Sequence, residues 1–423
     1  MKASVKKTKR VVYVVFGSRN QEFHPRVHKL LCLRPHFEKM VLVARGSHRI
    51  DQENLVLNPY PNPTGVFRLL GLNKLKSTID KYLFFPSTNL LYVKRVEKII
   101  TCKIKKDLDQ GMEVCLLTSV PPHDLCLLGL SLKNKFPSIK WIVDWRDLWS
   151  YDENYLLRVP RLYRGRLLRL EKRVFTHSDL NIVTNKYAKT VLESHFKVPP
   201  SRAVFINHHY CTKTLGSPSE QYDSLPSSPL SAMHAKIDAN QLIKIGFLGQ
   251  LFKPPRVPGL KLVKIINDLR KSGVNVELHI FGKVVDKVKQ SLSTDSIHSV
   301  VFHENLTELQ RVQKVAQCDY LLVLLEDLEN SKAVMCLKLP QYLLMNKPII
   351  GIVPNQSATA DIINETATGY IIPVDGDWAK TLLRILTKPE NMYKRFTPNR
   401  ENIEIFNWEN ISKQWLEVLC NPL

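Results

Sequence analysis

A short run of charged residues follows a strand-like segment in the first half of the chain and could act on a hydroxyl group. Residues 141–143 are apolar, and Asp144, Arg146 and Asp147 come directly after them. Carboxylates at the carboxyl end of a strand can orient or deprotonate a hydroxyl. The alternative is an Asp–Arg pair that only holds the loop. We predict Asp144, Arg146 and Asp147 as catalytic candidates, with Asp144 first among them.

A second group of residues could stabilise a developing negative charge. Gly249 follows the apolar segment 243–248, and Lys253 and Arg256 come next, while Lys338 stands between two leucines. Cations and backbone amides at a tight glycine turn can stabilise a leaving diphosphate. The alternative for Lys253 and Arg256 is a solvated surface position, as for most basic residues of this chain.

Metal and disulfide chemistry are not favoured by the residue spacing. The eight cysteines are scattered and form no C-x-x-C pair, which predicts reduced thiols and a reducing compartment. Asp375 and Asp377 form the one Asp-x-Asp near a strand end, with Gly376 between them. A turn that contains glycine explains this motif without a metal.

The elements that must position these residues alternate between strand and helix. A segment of helical length, 25–37, separates the first two apolar runs of the first half. Strand, helix, strand in this order implies a parallel sheet with right-handed crossovers. The strand-like runs of the first half are 11–16, 40–44, 114–117, 141–143, 180–183 and 203–206.

The second half repeats this alternation after a polar linker at 213–240. A helix is predicted at 260–271, and another begins at Thr307. We therefore predict an α/β protein of two Rossmann-like, doubly wound domains that face each other across a cleft, with ligands outside the carboxyl ends of the strands. The strand-like runs of this half are 243–248, 276–281, 300–302, 320–325, 348–353 and 371–372.

The net charge of +22, from 61 Lys and Arg against 39 Asp and Glu, predicts an anionic partner. Nucleic acid, an anionic bilayer and phosphorylated substrates would all satisfy it. Segments 66–106 and 158–173 mix basic and apolar residues, which is typical of surfaces for anionic lipid. The alternative is a pair of core helices with solvated basic faces.

The basic residues 1–10 and the apolar run 11–16 imitate a signal peptide, but the run is short and no small-residue cleavage site follows. No stretch approaches the roughly 20 apolar residues that span a bilayer. We expect a cytoplasmic protein that meets the inner face of a membrane from the side.

Several segments together carry a family resemblance. Segments similar to a donor-binding half read IKIGFLGQLFKPPR, VELHIFGK, VAQCDYLLVLLEDLENSKAVMCLKLPQYLLMNKPII and SATADIINETATGYIIP. Segments similar to an acceptor-binding half read VDWRDLW and LEKRVFTHSDLNIVTNKYAKTVL. In this order they resemble the GT-B glycosyltransferases, especially the retaining enzymes of family four, over most of the chain.

This resemblance implies a hexosyl-type glycosyltransferase that moves a sugar from a nucleotide-sugar to a lipid-linked or glycan acceptor, without a metal or other cofactor and with retention. It implies an acceptor domain at 1–212, the linker at 213–240 and a donor domain at 241–395. The helix in 396–423, with Trp408 and Trp415, would pack back on the first domain. The donor-binding residues would be Gly17, Gly249, Lys253, Arg256, Gly282, Glu304, Lys338, Gln341 and Tyr342.

Two positions depart from the pattern of many family members. Two glutamates separated by seven residues would fall near Ala333 and at Gln341. Gln341 can still hydrogen-bond a ribose hydroxyl, but its neutral amide accepts through one oxygen only. Members with a Lys-x-x-x-Tyr motif, here Lys338 and Tyr342, also lack the first glutamate.

Three other functions stay open. A nucleotide-sugar epimerase would need a denser set of acid/base residues and no acceptor segments. A nucleic-acid-binding protein would need aromatic-basic platforms or a known module, and neither is found. A non-catalytic protein of the same fold would explain the missing glutamates, and donor hydrolysis would distinguish it from an enzyme.

Overall fold

The computed structural model divides the chain into two compact units, Met1–Asn207 with Ile411–Leu423 and His208–Asn410. We call them unit 1 and unit 2. The residues that the structure describes are 8–16, 25–45, 55–57, 70–72, 78–80, 82, 85, 90–151, 155–156, 159–210, 242–251, 258–284, 299–388 and 396–421.

Each unit is built on one parallel sheet. Strands β1–β7 belong to unit 1 and β8–β13 to unit 2. Their bounds are β1 Thr8–Phe16, β2 Phe37–Arg45, β3 Leu55–Leu57, β4 Glu113–Val120, β5 Lys140–Trp145, β6 Leu180–Val183, β7 Ala203–Phe205, β8 Ile243–Leu248, β9 Val276–Phe281, β10 Val300–His303, β11 Tyr320–Leu324, β12 Ile349–Val353 and β13 Gly369–Pro373.

Helices connect the strands. Two short 3-10 helices, Leu31–His36 and Pro200–Arg202, lead into β2 and β7. The α-helices are α1 Pro25–Leu30, α2 Leu90–Asp109, α3 Leu125–Lys135, α4 Arg161–His177, α5 Lys186–Ser194, α6 Pro258–Lys271, α7 Glu308–Val315, α8 Glu329–Lys332, α9 Leu339–Leu344, α10 Ala358–Glu365, α11 Trp378–Thr387, α12 Arg400–Glu404 and α13 Trp408–Cys420.

The two sheets share one strand order. It is β3-β2-β1-β4-β5-β6-β7 in unit 1 and β10-β9-β8-β11-β12-β13 in unit 2. In both, the chain leaves the first strand in one direction and later returns to its other side, which is the doubly wound order with a topological switch point. The predicted doubly wound class is confirmed.

The buried strands explain why the apolar runs were visible in the sequence. Side chains of β1 from Val11 to Phe16 are at most 1% exposed, because both faces of a parallel sheet are covered. The predicted runs match the observed strands to within a few residues. Strand β3, Leu55–Leu57, was not predicted, because three residues give too short a pattern.

The last helix, α13, packs on unit 1. Its residues Ile411, Trp415 and Leu419 are fully buried. Lys140 donates hydrogen bonds of 2.9 and 2.7 Å from Nζ to the carbonyls of Val418 and Asn421. Cations at the carboxyl end of a helix satisfy its unpaired carbonyls. Unit 1 therefore takes residues from both ends of the chain.

Two further observations concern cysteines and membranes. The cysteines in the described part of the chain are free thiols, and Cys115, Cys126 and Cys318 are buried. Within that same part, no helix has the length and apolar character needed to cross a bilayer.

Candidate functional site

In unit 2, the loops after β8 and β9 touch each other through two glycines. Gly249 has φ +109°, a conformation that favours glycine, and its amide donates a 3.0 Å hydrogen bond to the Phe281 carbonyl. A Cβ on Gly282 would lie 2.2 Å from the Gly249 carbonyl oxygen. Both positions therefore need glycine, and nothing lies within 4 Å of the place that a Cβ on Gly249 would take.

The end of β8 is held by two residues one helical turn apart. Leu248 receives a 3.2 Å hydrogen bond from Lys338 Nζ at its carbonyl and donates one of 2.8 Å to the Tyr342 hydroxyl. Lys338 Nζ also lies 3.2 Å from the centroid of the Phe247 ring. A spacing of four puts Lys338 and Tyr342 on one face of a helix. The Lys-x-x-x-Tyr motif thus fixes the strand end next to Gly249.

Burial separates the roles of these two side chains. Tyr342 is fully buried, and burial raises the pKa of its hydroxyl far above the ordinary value. It is therefore a neutral structural group. Lys338 is only half-buried, beside the glycine loop. Its ammonium is thus the closer of the two to any ligand outside the strand end.

Two other predicted donor residues lie at the same edge. Glu304 follows β10 and accepts a 2.9 Å hydrogen bond at Oε1 from the Val284 amide, which joins the loops after β10 and β9. Gln341 is half-buried on α9, and no described residue hydrogen-bonds its amide. Because β8, β9 and β10 are neighbours in the sheet, the loops that follow them lie at one edge.

Three predicted donor residues, Gly17, Lys253 and Arg256, lie outside the described residues.

Asp377 caps α11 by accepting a 3.0 Å hydrogen bond from the Lys380 amide, and the Gly376 amide donates to the Pro373 carbonyl. Residues 375–377 therefore form the glycine-containing turn that was predicted for the Asp-x-Asp motif. Among the described residues no group of three or more His, Cys, Asp or Glu side chains could hold a metal ion.

In unit 1, Asp144 lies below the protein surface. Its side chain and that of Arg26 are both fully buried, and Arg26 Nη2 lies 2.9 Å from Asp144 Oδ1. Ser119 donates a 2.8 Å hydrogen bond to Asp144 Oδ2. A carboxylate that is engaged in this way is shielded from a hydroxyl substrate. The geometry favours a structural role for Asp144, and its catalytic assignment stays a prediction.

The other two candidates occupy the loop that follows. Arg146 is half-buried, its amide donates to the Val120 carbonyl at 2.9 Å, and its guanidinium donates to the Pro121 carbonyl. Burial lowers the pKa of Arg146, and the carboxylates of Asp144 and Asp147 oppose that shift. Asp147 is exposed. Of the three candidates, Asp147 is the carboxylate that a substrate could reach.

His123 and Glu171 support this loop, and neither was predicted. His123 Nε2 lies 2.9 Å from the Asp147 carbonyl, and its ring stacks on Trp149 at 5.3 Å. Burial lowers the pKa of His123 to about 4. Glu171 of α4 accepts hydrogen bonds of 3.0 and 3.1 Å from the amides of Trp149 and Ser150. Burial raises the pKa of Glu171 to about 7.

Comparison with known proteins rests on structure alone. No family model and no curated protein sequence matches the chain. One similar solved structure is sucrose-phosphate synthase of Thermosynechococcus elongatus, at 13% identity over 96% of this chain and 98% of that chain, with a TM-score of 0.60. A second is HepE of Anabaena with UDP and glucose, at 12% identity over 96% of this chain and 99% of that chain, with a TM-score of 0.60. A third is a UDP-forming trehalose-phosphate synthase of Burkholderia vietnamiensis, at 10% identity over 97% of this chain and 98% of that chain, with a TM-score of 0.63.

These similarities extend over nearly the whole of each chain and over both units. The chain has the GT-B fold. At 10–13% identity they establish the architecture, and the chemistry must be argued from the residues.

The GT-B fold also shows which signals the sequence carried for the site. The Lys338–Tyr342 spacing and the glycines after two strands were local patterns, and the structure brings these residues together at the carboxyl ends of β8 and β9. Arg26 gave no such signal, because its partner Asp144 is 118 positions away. A buried ion pair between distant positions cannot be recognised without knowing the fold.

Proposed function

We propose that this protein is a glycosyltransferase that moves a hexosyl group from a nucleotide-sugar to a lipid-linked or glycan acceptor. The observation that carries the proposal is the arrangement around Leu248, where Lys338, Tyr342 and the glycine loops meet at the carboxyl ends of β8 and β9. Ligands of doubly wound sheets bind at this edge. HepE, which shares the fold, has been crystallised with UDP-glucose.

Each donor-side residue has a defined task in this proposal. The glycine at 249 lets the diphosphate approach the backbone amides, and Lys338 supplies positive charge beside them. The free amide of Gln341 donates or accepts at a ribose hydroxyl. Glu304 keeps the loops after β9 and β10 together beside the nucleotide base. Gly17, Lys253 and Arg256 would add contacts to the diphosphate.

On the acceptor side, Asp147 and Arg146 are the groups that a sugar hydroxyl or a phosphate of the acceptor would meet. An exposed carboxylate can orient or deprotonate an attacking hydroxyl, and a guanidinium can hold a phosphate. A lipid-linked acceptor would place the reaction at the inner face of a membrane, in the cytoplasm. The trehalose-phosphate synthase of Burkholderia xenovorans, another protein of this fold, was crystallised with glucose-6-phosphate.

We further propose that the reaction is independent of metal and retains the anomeric configuration. The support for metal independence is that cations and backbone amides are available to stabilise the leaving diphosphate. Retention follows from the resemblance to family-four enzymes alone. Measurement of product anomer by proton NMR would test it directly.

The test is release of nucleoside diphosphate from a panel of nucleotide-sugars by the full chain, with a chelator present. We expect one nucleotide-sugar to be hydrolysed slowly without acceptor and to raise Tm selectively. A ligand that binds only the native state at 100 times its Kd stabilises it by about 2.7 kcal/mol. Gln341→Ala should weaken both effects.

The outcomes separate the candidates. A selective Tm shift without any turnover, with acceptor or without, would favour the non-catalytic binding protein. Interconversion of the sugar with no transfer would favour the epimerase. No Tm shift with any nucleotide, together with salt-sensitive binding to DNA or RNA, would refute the glycosyltransferase proposal.

A further inference from the structure

Helix α4, Arg161–His177, has two faces of opposite character. Leu167, Glu171 and Val174 are fully buried, and their spacing of four and three defines one face of the helix. Leu162, Arg166, Arg169 and Arg173 follow the same spacing on the opposite face, and all are exposed. The second face therefore looks away from the body of unit 1.

Within the described part of the chain, no carboxylate pairs with the positive charges on this outer face. Exposed cations are contributed by Arg161, Arg166, Arg169, Lys172 and Arg173, and Glu171, the only acidic residue of the helix, is buried on the inner side. None of these five cations forms an ion pair with a carboxylate of the described residues. By contrast, cations of other helices do pair, such as the exposed Lys135 with Glu97 and the half-buried Lys189 with Glu193.

A large apolar side chain stands at the start of this cationic stripe. Leu162 is 78% exposed, the highest value among the exposed large hydrophobic residues of the described chain, and Leu168 is 48% exposed on the flank of the helix. Tyr163 stacks on Phe85 at 4.9 Å and donates a 2.8 Å hydrogen bond to the Tyr82 carbonyl, which fixes the first turn. Leu162 is therefore presented outward from a held turn.

We propose that the outer face of α4 is a docking surface for an anionic lipid bilayer, with Leu162 inserted among the acyl chains. Basic side chains along such a face are attracted to anionic headgroups. An apolar side chain between them gains by leaving water for hydrocarbon. Leucine and arginine on one stripe satisfy both requirements at once.

A bilayer fits this face better than a nucleic acid does. Leu162 would remain in water against a phosphate backbone, which has no hydrocarbon layer to receive it. The stripe also carries no aromatic residue at its exposed positions on which bases could stack. The charge alone would suit either partner, so the exposed leucine decides between them.

Helix α4 is also connected to the candidate acceptor loop, through the side chain of Glu171. Glu171, on the inner face of α4, holds the amides of Trp149 and Ser150, two and three residues beyond Asp147. A bilayer bound on the outer face would therefore hold the helix that carries this loop.

The test is sedimentation of the full chain with vesicles of phosphatidylglycerol and phosphatidylcholine, and with vesicles of phosphatidylcholine alone. We expect binding to the anionic vesicles only, weakened by salt. Arg166→Gln with Arg169→Gln and Arg173→Gln should reduce the affinity by on the order of 100-fold, roughly fivefold for each cation. Leu162→Gln should reduce it about tenfold at an unchanged salt dependence.

Two matched controls keep the test sharp. Lys264→Gln with Lys314→Gln and Lys380→Gln removes the same charge from exposed positions of α6, α7 and α11, outside both basic-apolar segments, and should cost less than about fivefold. Leu383→Gln removes a leucine that is 40% exposed on α11 and should change nothing. All four substituted proteins should keep the Tm of the wild type, since the sites are exposed.

Some results would overturn the proposal. Equal losses in the two triple variants would show that net charge, and not α4, attracts the vesicles. Wild-type binding by Leu162→Gln would show that no leucine inserts. Binding to duplex RNA without binding to vesicles would assign the face to nucleic acid. Because vesicle binding needs no nucleotide-sugar, these results are independent of the proposed glycosyl transfer.

Discussion

Arg26 and Asp144 form an ion pair in which neither side chain is exposed to solvent. Arg26 also donates hydrogen bonds of 2.9 Å to the carbonyls of Ile206 and Asn207, and its guanidinium lies 4.9 Å from the Trp415 ring centroid. One side chain of α1 thus connects β5, the end of β7 and α13. The ion pair therefore stabilises the packing of these three elements in unit 1.

We expect Asp144→Asn to destabilise unit 1 strongly. The substitution leaves the Arg26 guanidinium buried without a counter-charge, and breaking a buried pair in this way typically costs about 3–5 kcal/mol. Urea unfolding should show the loss as a lower midpoint. Asp147→Asn, at an exposed position of the loop after β5, should change the free energy of unfolding by less than about 0.5 kcal/mol. Full stability with lost turnover in Asp144→Asn would instead support the catalytic prediction.

Gly282→Ala should disturb the contact between the loops after β8 and β9. The new Cβ would lie 2.2 Å from the Gly249 carbonyl oxygen, so the backbone must move. We expect a loss of roughly 1–3 kcal/mol and weaker nucleotide binding. Gly165→Ala is the matched control, because nothing lies within 4 Å of its Cβ and helix propensity predicts a gain of up to about 1 kcal/mol. Similar effects at both glycines would contradict this explanation.

Tyr342→Phe tests the structural half of the Lys-x-x-x-Tyr motif. Its hydroxyl accepts a hydrogen bond from the Leu248 amide, and removal leaves that amide without a partner at a cost of about 1–3 kcal/mol. Thermal unfolding should report the loss. We expect nucleotide affinity to fall only as far as the strand end becomes less ordered. A Tyr342→Phe protein as stable as the wild type would show that water replaces the hydroxyl.

Lys338→Met tests the electrostatic half of the motif. Methionine keeps the apolar stem against Phe247 and removes the charge, so we expect at least tenfold weaker binding of a nucleoside diphosphate. Loss of the hydrogen bond to the Leu248 carbonyl should lower stability by about 0.5–1.5 kcal/mol. Isothermal titration calorimetry at two salt concentrations measures this. Lys380→Met, at an exposed position of the same unit, should bind like the wild type. Unchanged affinity in Lys338→Met would exclude this lysine from the donor site.

Glu171 should make stability depend on pH. Burial raises its pKa from 4.5 to about 7, so the folded chain holds the proton more tightly than the unfolded chain. The resulting stabilisation is complete below about pH 4.5 and is lost as the pH rises to about 7. A shift of this size corresponds to about 3 kcal/mol. Glutamine resembles the protonated acid and cannot ionise.

Glu171→Gln should therefore match the wild type near pH 4 and exceed its Tm increasingly towards pH 7. His123 has the opposite pH dependence, because burial lowers its pKa from 6.5 to about 4. The stability that it contributes therefore grows as the pH rises from about 4 to about 6.5. Glu417→Gln, at an exposed position, should follow the wild type at every pH. Parallel Tm curves for Glu171→Gln and the wild type would refute the prediction.

The amino-acid sequence by itself determined the elements and their order. Buried parallel strands are short apolar runs, and such runs at 11–16, 320–325 and 348–353 were visible locally. Glycines after the strands and the helical spacing of Lys338 and Tyr342 are also local signals. The order of the elements was enough to predict the doubly wound class, and the local signals led to the donor-site prediction in unit 2.

Tertiary structure alone decided what the charged residues do. Asp144 and Asp147 are three positions apart and look alike in the sequence, yet one is fully buried against Arg26 and the other is exposed. Glu171 lies among basic residues of α4 and carried no signal of its own in the sequence, yet it holds the loop after β5. Burial and charge pairing depend on residues that are distant along the chain, and only the folded structure brings such residues into contact.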